Sequence, residues 1–222
     1  MISIIVVKSY EKPEYNIREI LRYMGCKESD ETVAALVDEC LEEIGNRLSF
    51  NVCCREFKIS ETASGLDLGF METSSQSLKK NLDGCGKIML FAATVGLEMD
   101  RLIARYGRVS PVKSVAFQAI GAERIESLCD LFEKEVKEYA EKNGGYIRPR
   151  FSAGYGDFGI EVQEEIFKAL DCRRKIGITL NDSMLMSPSK SVTAIIGISD
   201  KPNDCKSGCS VCGKTDCKYR KI

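Results

Sequence analysis

The residues best suited to chemistry lie in the segment RPRFSAGYGDFG, residues 148–159. Arg150 offers a planar set of donors that fits a carboxylate or a phosphate. Tyr155 adds a flat ring with a hydroxyl, and Asp157 adds an acceptor. Three glycines permit a positive φ and a close approach of the backbone to a ligand: Gly154, Gly156 and Gly159. The segment suits a small zwitterionic or nucleoside-like ligand, although a surface turn whose arginine pairs with a nearby carboxylate accounts for it equally well.

A second group with chemical potential lies at the carboxyl end, where four cysteines have the spacing C-x3-C-x2-C-x4-C. They are Cys205, Cys209, Cys212 and Cys217. Four thiolates in thirteen residues suit a tetrahedral Zn²⁺ or an iron–sulfur cluster. The alternatives are a metal-free tail and disulfide pairs. The radical S-adenosylmethionine signature is similar, but only five residues follow the last cysteine, too few for the barrel which that chemistry requires.

Composition excludes several classes of function. The 222-residue chain contains no histidine, so it has no Ser-His-Asp or Cys-His relay and cannot offer an imidazole to a metal. A formal net charge of -1 gives no broad attraction to nucleic acid or to an anionic membrane. No apolar run approaches the roughly 20 residues of a membrane span. We therefore expect neither nucleic acid nor membrane as a partner.

The seven cysteines before the tail occupy mostly apolar positions in periodic segments, where cysteine acts as a small buried hydrophobe. No cleavable leader precedes the first apolar stretch, which is too short for a signal peptide. A reduced, cytoplasmic protein is the better interpretation.

The elements that must position these groups form an α+β pattern. Apolar spacing predicts a strand at 2–7, helices at 16–25 and from about 30 to 48, and a central strand at 87–96. A helix stopped by Gly107 follows, and Ser110-Pro111 begins the longest helix, which reaches about Lys142.

After the glycine-rich loop, the pattern predicts a helix over 160–171 and then strands at KIGITL, SMLMSP and SVTAIIGIS. The expected fold is a mixed or antiparallel twisted sheet with packed helices, followed by a short cysteine-rich tail.

The loop also carries a resemblance to a known family. Arg150-Phe151-Ser152-Ala153-Gly154-Tyr155 fits R-x-x-x-G-Y and resembles the S-adenosylmethionine signature of the activation (reactivation) domain of cobalamin-dependent methionine synthase. Segments 91–106, 119–139 and 178–199 are similar to the same family in order and spacing. The resemblance covers roughly 88–199, half of the chain. Together with the change of composition at the tail, it divides the chain into three expected parts. These are the amino-terminal α+β part (1–87), the S-adenosylmethionine-binding core (88–199) and the cysteine-rich tail (200–222).

The resemblance implies roles for individual residues. Arg150 would face the carboxylate of S-adenosylmethionine, while Ser152 and Gly154 would let the ligand lie flat on the backbone. Tyr155 would stand between the ligand and the corrin, on the cobalt face. Glu126 would face the ligand's amino group or positive charge, although a solvated helix carboxylate is the competing interpretation. Arg148 lies outside the motif, and we expect it to be a surface charge.

The turn expected to pack on the corrin bears Met186, Pro188, Ser189 and Ser191. In this family, one electron and the sulfonium methyl restore methylcobalamin from the inactive cobalt(II) state. Because this chain has no histidine for a corrinoid, cobalamin would arrive on a partner, the cobalamin-binding subunit of a methionine synthase. An electron donor such as flavodoxin or ferredoxin is also implied. This need for an electron favours an iron–sulfur cluster over zinc in the tail.

The implied function is the reductive remethylation of the partner's cobalamin. Two other functions remain open at this point. The chain could reactivate a different corrinoid methyltransferase, or it could be a non-enzymatic metal or iron–sulfur redox module.

Overall fold

A ten-residue apolar strand, β6 (Cys85–Thr94), lies at the centre of the main sheet. The computed structural model describes residues 4–26 and 31–202. β6 pairs with β2 (Phe50–Lys58) on one side and with β10 (Ser191–Ser199) on the other. β1 (Val6–Tyr10) and β7 (Tyr146–Ile147) form the two edges, so the order is β1-β2-β6-β10-β7. Within the described residues, each pairing in this sheet is antiparallel, which confirms the antiparallel form of the predicted sheet.

Helices cover both faces of the sheet. One face packs against α1 (Ile17–Met24), α2 (Glu31–Ile44), α4 (Glu98–Val109) and α5 (Pro111–Lys142). The other face packs against α3 (Gln76–Asn81), α6 (Gln163–Leu170) and α7 (Cys172–Ile176). Alternate residues of β6 therefore enter different cores, and a strand buried on both faces reads as a continuous apolar run. The predicted α+β fold is confirmed.

Short elements complete the second face. β3 (Ser60–Thr62), β4 (Gly65–Asp67) and β5 (Glu72–Thr73) form a small antiparallel sheet. A 3-10 turn at Ile160–Val162 leads into α6, and β8 (Thr179–Leu180) pairs with β9 (Met186–Ser187) in a hairpin. In the described part of the chain, no helix has the length and apolar character needed to cross a membrane.

Several predicted boundaries were wrong. In the described part of the chain, the first strand runs from Val6 to Tyr10 and so continues past the predicted end at residue 7, while residues 2 and 3 of the prediction lie outside the described range. Helix α4 continues past Gly107 to Val109, because its last turn is closed by the Ser110 N–H on the Tyr106 carbonyl. The stretch KIGITL is not one strand: α7 ends at Ile176, Gly177 adopts φ 72°, and only Thr179–Leu180 is extended.

The longest helix begins and ends where the sequence predicts. Pro111 occupies its first turn, where a missing N–H costs nothing, and Lys142 is its last residue. The scattered cysteines also lie as expected, since Cys40, Cys53, Cys54, Cys129 and Cys172 are buried free thiols and Cys26 and Cys85 are half-buried.

A fully buried ion pair fixes helix α5 to the chain before α1. Arg124 is 0% exposed and donates from Nε to Glu123 Oε2 at 2.6 Å. Its Nη atoms donate to the carbonyls of Pro13 and Glu14, and its guanidinium stacks 4.1 Å from the centre of the Tyr15 ring. The Asn16 N–H donates to the same carboxylate. Each buried charge is therefore paired, as burial requires.

We predict that Arg124→Leu lowers the free energy of unfolding by about 3–5 kcal/mol, because it leaves the Glu123 carboxylate buried without its cation. Urea unfolding followed by far-ultraviolet circular dichroism measures this change. The control is Arg101→Leu, which breaks an exposed pair with Glu98 and should cost less than about 1 kcal/mol. Equal effects of the two substitutions would contradict the prediction.

Candidate functional site

The glycine-rich segment lies along β10 before it turns away. The Arg148 N–H donates to the Gly197 carbonyl at 2.8 Å, and Phe151 and Ile195 exchange two backbone hydrogen bonds. Residues 148–151 therefore continue the line of β7 along β10, at the edge of the sheet. Because successive side chains of an extended segment point to opposite sides, Arg150 reaches α5 while Phe151 packs against the second core.

Arg150 makes ion pairs with three carboxylates of α5. Its Nη1 donates to Asp130 Oδ1 and Glu133 Oε2, each at 2.6 Å, and its Nη2 donates to Glu126 Oε2 at 2.8 Å. These acidic residues have the spacing i, i+4, i+7, which places them on one face of a helix. Burial alone would lower the pKa of the Arg150 guanidinium, but the hydrogen bond and charge of Asp130, with the charge of Glu126, raise it well above its usual range. Arg150 therefore remains charged.

The turn after Arg150 is closed by backbone hydrogen bonds. The Gly154 N–H donates to the Phe158 carbonyl at 2.7 Å, and the Phe158 N–H donates to the Tyr155 carbonyl at 3.0 Å. Gly154 (φ 92°) and Gly156 (φ 58°) have the positive φ expected of them. Gly159 does not, since its φ is -55°.

The Asp157 carboxylate accepts hydrogen bonds from other residues of the protein, so it is not a free acceptor for a ligand. It accepts from Ser75 Oγ at 2.6 Å and from the backbone N–H groups of Gln76 and Ser77 at 2.7 and 3.0 Å. These hydrogen bonds lower the pKa of the Asp157 carboxyl below its usual range. The contact secures the turn to the start of α3.

A cavity of about 330 Å³ opens between this turn, α5 and the start of β10. Its wall includes six of the residues predicted from the sequence: Glu126, Arg150, Ser152, Tyr155, Met186 and Ser191. Tyr155 is 66% exposed and lies edge-on to Phe151, with 6.2 Å between ring centres. The cavity thus combines a guanidinium, a carboxylate and aromatic surface, which suits a small ligand with both charges and a flat ring.

Gly154 and the residues predicted on the turn before β10 occupy different positions around the cavity. Gly154 shapes the turn, and Ser191 lines the wall with its hydroxyl donated to the Pro188 carbonyl at 2.8 Å. Ser189 faces α4 instead, because its N–H and hydroxyl both donate to the carboxylate of Asp100. The structure therefore brings Met186 to the ligand cavity and turns Ser189 toward a helix.

Sequence reasoning missed four residues of this region. Thr193 and Gln163 are buried, line the cavity and are joined by a 3.4 Å hydrogen bond. Their approach depends on the packing of α6 on β10, for which one sequence holds no signal. Asp130 and Glu133 could have been found from their helical spacing relative to Glu126.

The prediction that Arg148 is a surface charge was wrong. Arg148 is only 8% exposed. Its Nη2 donates to the carbonyl of Asp83 at 3.1 Å, and further contacts reach Ser199 Oγ and the Lys201 carbonyl. Arg148 therefore joins the chain before β6 to the end of β10, away from the ligand cavity.

The four tail cysteines predicted as metal ligands lie outside the described residues. Within residues 4–26 and 31–202, no group of three or more acidic or thiol side chains has the geometry of a metal site. Cys129 lies next to Arg150's partners on α5, where burial raises the pKa of its thiol. It therefore stays protonated and is a packing residue.

Comparisons with known proteins place this site in context. Residues 76–206, more than half of the chain, match the family described as "Vitamin B12 dependent methionine synthase, activation domain". Among solved structures, the chain is similar to "Crystal Structure of the MetH Reactivation Domain bound to AdoHcy", with a TM-score of 0.64 and 14% identity over 93% of this chain and 82% of that one. At this identity the likeness shows the fold. No curated protein sequence matched.

We predict that Asp157→Asn destabilises the fold in a pH-dependent manner. The folded pKa of Asp157 is lowered from an ordinary value of about 3.9. Its stabilisation is therefore complete above that value and is lost as the pH falls toward the folded pKa. Urea unfolding should show a wild-type advantage near pH 6 that shrinks between about pH 5 and pH 2.

The matched control is Asp182→Asn, an exposed aspartate in the β8–β9 turn. Its unfolding curve should follow the wild type at each pH. A constant difference between wild type and Asp157→Asn across the pH range would contradict the proposed cause.

Proposed function

This chain belongs to the family of vitamin B12-dependent methionine synthase activation domains, and from that premise we propose that it binds S-adenosylmethionine and supports reductive remethylation of a partner's cobalamin. The observation that carries the proposal is the cavity beside the R-x-x-x-G-Y segment, where Arg150 and Glu126 place opposite charges on one wall. The structural neighbour supports it, since that reactivation domain is bound to AdoHcy. AdoHcy is S-adenosylhomocysteine, the thioether that remains when S-adenosylmethionine loses its methyl group.

The charges of the cavity suit the methionine end of the ligand. Arg150 would hold the carboxylate by a charge-assisted contact, since its Nη2 already binds a carboxylate oxygen of Glu126. Glu126 would then receive the ammonium or sulfonium charge. Glu126, which forms an ion pair with Arg150 in this structure, would therefore form one with the ligand's positive charge instead.

The rest of the wall suits the nucleoside. Ser152 and Ala153 border the cavity, and Gly154 at φ 92° gives the turn its shape, so the backbone here can lie close to a flat ligand. Thr193 and Gln163 add polar atoms deep in the wall. Tyr155 and Phe151 provide aromatic edges against which a purine can pack.

The outer rim of the cavity would face the corrin. Tyr155 is largely exposed there, and Met186 lies on β9 at the same cavity. Pro188 and Ser189 continue this turn toward α4. We infer that cobalamin, carried by the partner, approaches this rim, so that Tyr155 lies between the corrin and the ligand.

The chemistry that bound cobalamin supplies is a cobalt(I) nucleophile, formed by one-electron reduction, which accepts the sulfonium methyl group. This transfer depends on proximity and alignment more than on proton movement. The chain has no histidine, and its cavity holds ligand-orienting groups rather than an acid–base pair. The protein's contribution would be to bind the ligand and orient its methyl group.

The partner is proposed to be the cobalamin-binding subunit of a methionine synthase, with a flavodoxin or ferredoxin as electron donor. Mixing the protein with reduced candidate corrinoid proteins and methyl-labelled S-adenosylmethionine tests this choice. Label on the cobalamin of methionine synthase supports the proposal, whereas label on another corrinoid protein alone favours the second candidate.

The tail is proposed to hold an iron–sulfur cluster or a zinc ion on Cys205, Cys209, Cys212 and Cys217. This assignment rests on their spacing in the sequence. Anaerobic purification followed by metal and sulfide analysis separates the two metals. A colourless protein without bound metal would remove the assignment.

We predict that Arg150→Ala weakens S-adenosylmethionine binding more than tenfold, a loss of about 1.4 kcal/mol or more, because a charge-assisted contact disappears. Isothermal titration calorimetry measures the dissociation constant. Arg108→Ala, at an exposed arginine of α4, is the control and should bind as the wild type does. Unchanged affinity in Arg150→Ala would exclude Arg150 from the ligand site.

We predict that replacing all four tail cysteines by serine leaves the affinity for S-adenosylmethionine within about twofold of wild type. The cavity is lined by residues up to Thr193, whereas the tail follows the opposite end of β10. Calorimetry and metal analysis on the full-length variant should show intact binding with loss of metal. A large loss of affinity would mean that the tail contributes to the site.

A further inference from the structure

The carboxylates at and beside the ligand cavity outnumber the cation that they share: Glu126 and Arg150 line the cavity, whereas Asp130 and Glu133 contact Arg150 without lining it. Glu126, Asp130 and Glu133 all form ion pairs with Arg150, which leaves two negative charges in excess. In the described part of the chain, these three carboxylates share that one cation. The excess lies on one face of α5, beside a cavity into which a ligand is proposed to bind.

The three carboxylates differ in their place at the cavity. Glu126 lines it and binds Nη2 of Arg150. Asp130 and Glu133 both bind Nη1, on the side of the guanidinium away from the Glu126 contact. A ligand carboxylate can therefore exchange with Glu126 at Nη2 while Asp130 and Glu133 keep their contacts. Their two charges remain in place when the ligand binds.

These charges are only partly screened by water. The Arg150 side chain is 20% exposed and that of Glu133 is 26% exposed, whereas Asp130 is more open at 59%. Charges at the edge of a protein interact through an effective dielectric constant between those of the interior and of water. The excess negative charge should therefore act on a cation in the cavity.

The reaction of the proposed function changes the charge of the ligand. The bond between the sulfonium sulfur and the methyl carbon breaks, and its electron pair stays on sulfur. The electron pair of cobalt(I) forms the new bond to the methyl group. S-adenosylmethionine, which carries a sulfonium cation, thus becomes S-adenosylhomocysteine, a neutral thioether with the same carboxylate, ammonium and nucleoside.

We propose that Asp130 and Glu133 determine specificity for the sulfonium form of the ligand, so that loss of the methyl cation weakens binding and favours release of the thioether. This inference rests on the proposed function. It assigns to the two residues a role different from that of Arg150, because Arg150 contacts the part that both ligands share. Their effect should appear in the ratio of the two affinities rather than in either affinity alone.

The test measures dissociation constants of S-adenosylmethionine and S-adenosylhomocysteine by calorimetry for wild type, Asp130→Asn, Glu133→Gln and the double variant. The ratio of the thioether constant to the sulfonium constant should fall about three- to tenfold in the double variant. The wild-type ratio should also fall as salt is raised, because salt screens exposed charges. Sinefungin carries an amine cation in place of the sulfonium, so its dissociation constant should change across the variants as that of S-adenosylmethionine does.

The matched control is Glu138→Gln, which removes the same charge from an exposed position of α5 and should leave the ratio unchanged. Thermal unfolding verifies that each variant is folded. The inference is overturned if the ratio is unchanged in the double variant, including the case in which the affinities for both ligands fall equally. That result leaves the proposed function intact. Failure of the wild type to bind either ligand overturns the proposed function itself.

Discussion

The Arg150 guanidinium joins the glycine-rich turn to the longest helix, and the shape of the cavity depends on this junction. The turn is otherwise attached through backbone hydrogen bonds to β10 and through Asp157 to α3. Without Arg150, three carboxylates on one face of α5 would repel one another beside the cavity. One partly buried cation therefore both joins the turn to α5 and contributes the positive charge that a ligand meets.

Helix α5 carries a balanced ion pair in one turn and an excess of carboxylates in the next turns. At Glu123 and Arg124, each buried group is matched by a partner or a backbone carbonyl, and the result fixes the helix to residues 13–16. From Glu126 onward, one face of the helix bears three carboxylates that share the single cation of Arg150. A fully matched pair resists exchange, because opening it strands a buried charge. An unbalanced and half-exposed set can exchange one partner for a ligand, which is what a binding site requires.

The features predicted correctly from the sequence are those with local causes. Proline in the first turn and glycines after Lys142 specify the ends of α5, and continuous apolar character specifies β6. The sequence also singled out Arg150 and Glu126, which the structure places together on the cavity wall, while their role as ligand contacts stays a prediction. The errors concern features that only packing decides. Arg148 is buried because the strand edge places it over the Asp83 carbonyl, and α7 replaces a predicted strand because Gly177 ends a helical turn.

The two ends of β10 have different neighbours in the structure. The cavity lies at Ser191, Val192 and Thr193, at the start of the strand, and the chain leaves toward the tail after Ser199 at the other end. Eight residue steps of an extended strand span roughly 26 Å. Within residues 4–26 and 31–202, the lining of the cavity comes from α5, the turn after Arg150, the first residues of α6, β9 and the start of β10. Because β10 brings Ser191 and Thr193 beside the turn that bears Arg150, the orientation of a ligand would depend on the pairing of residues 148–151 with this strand.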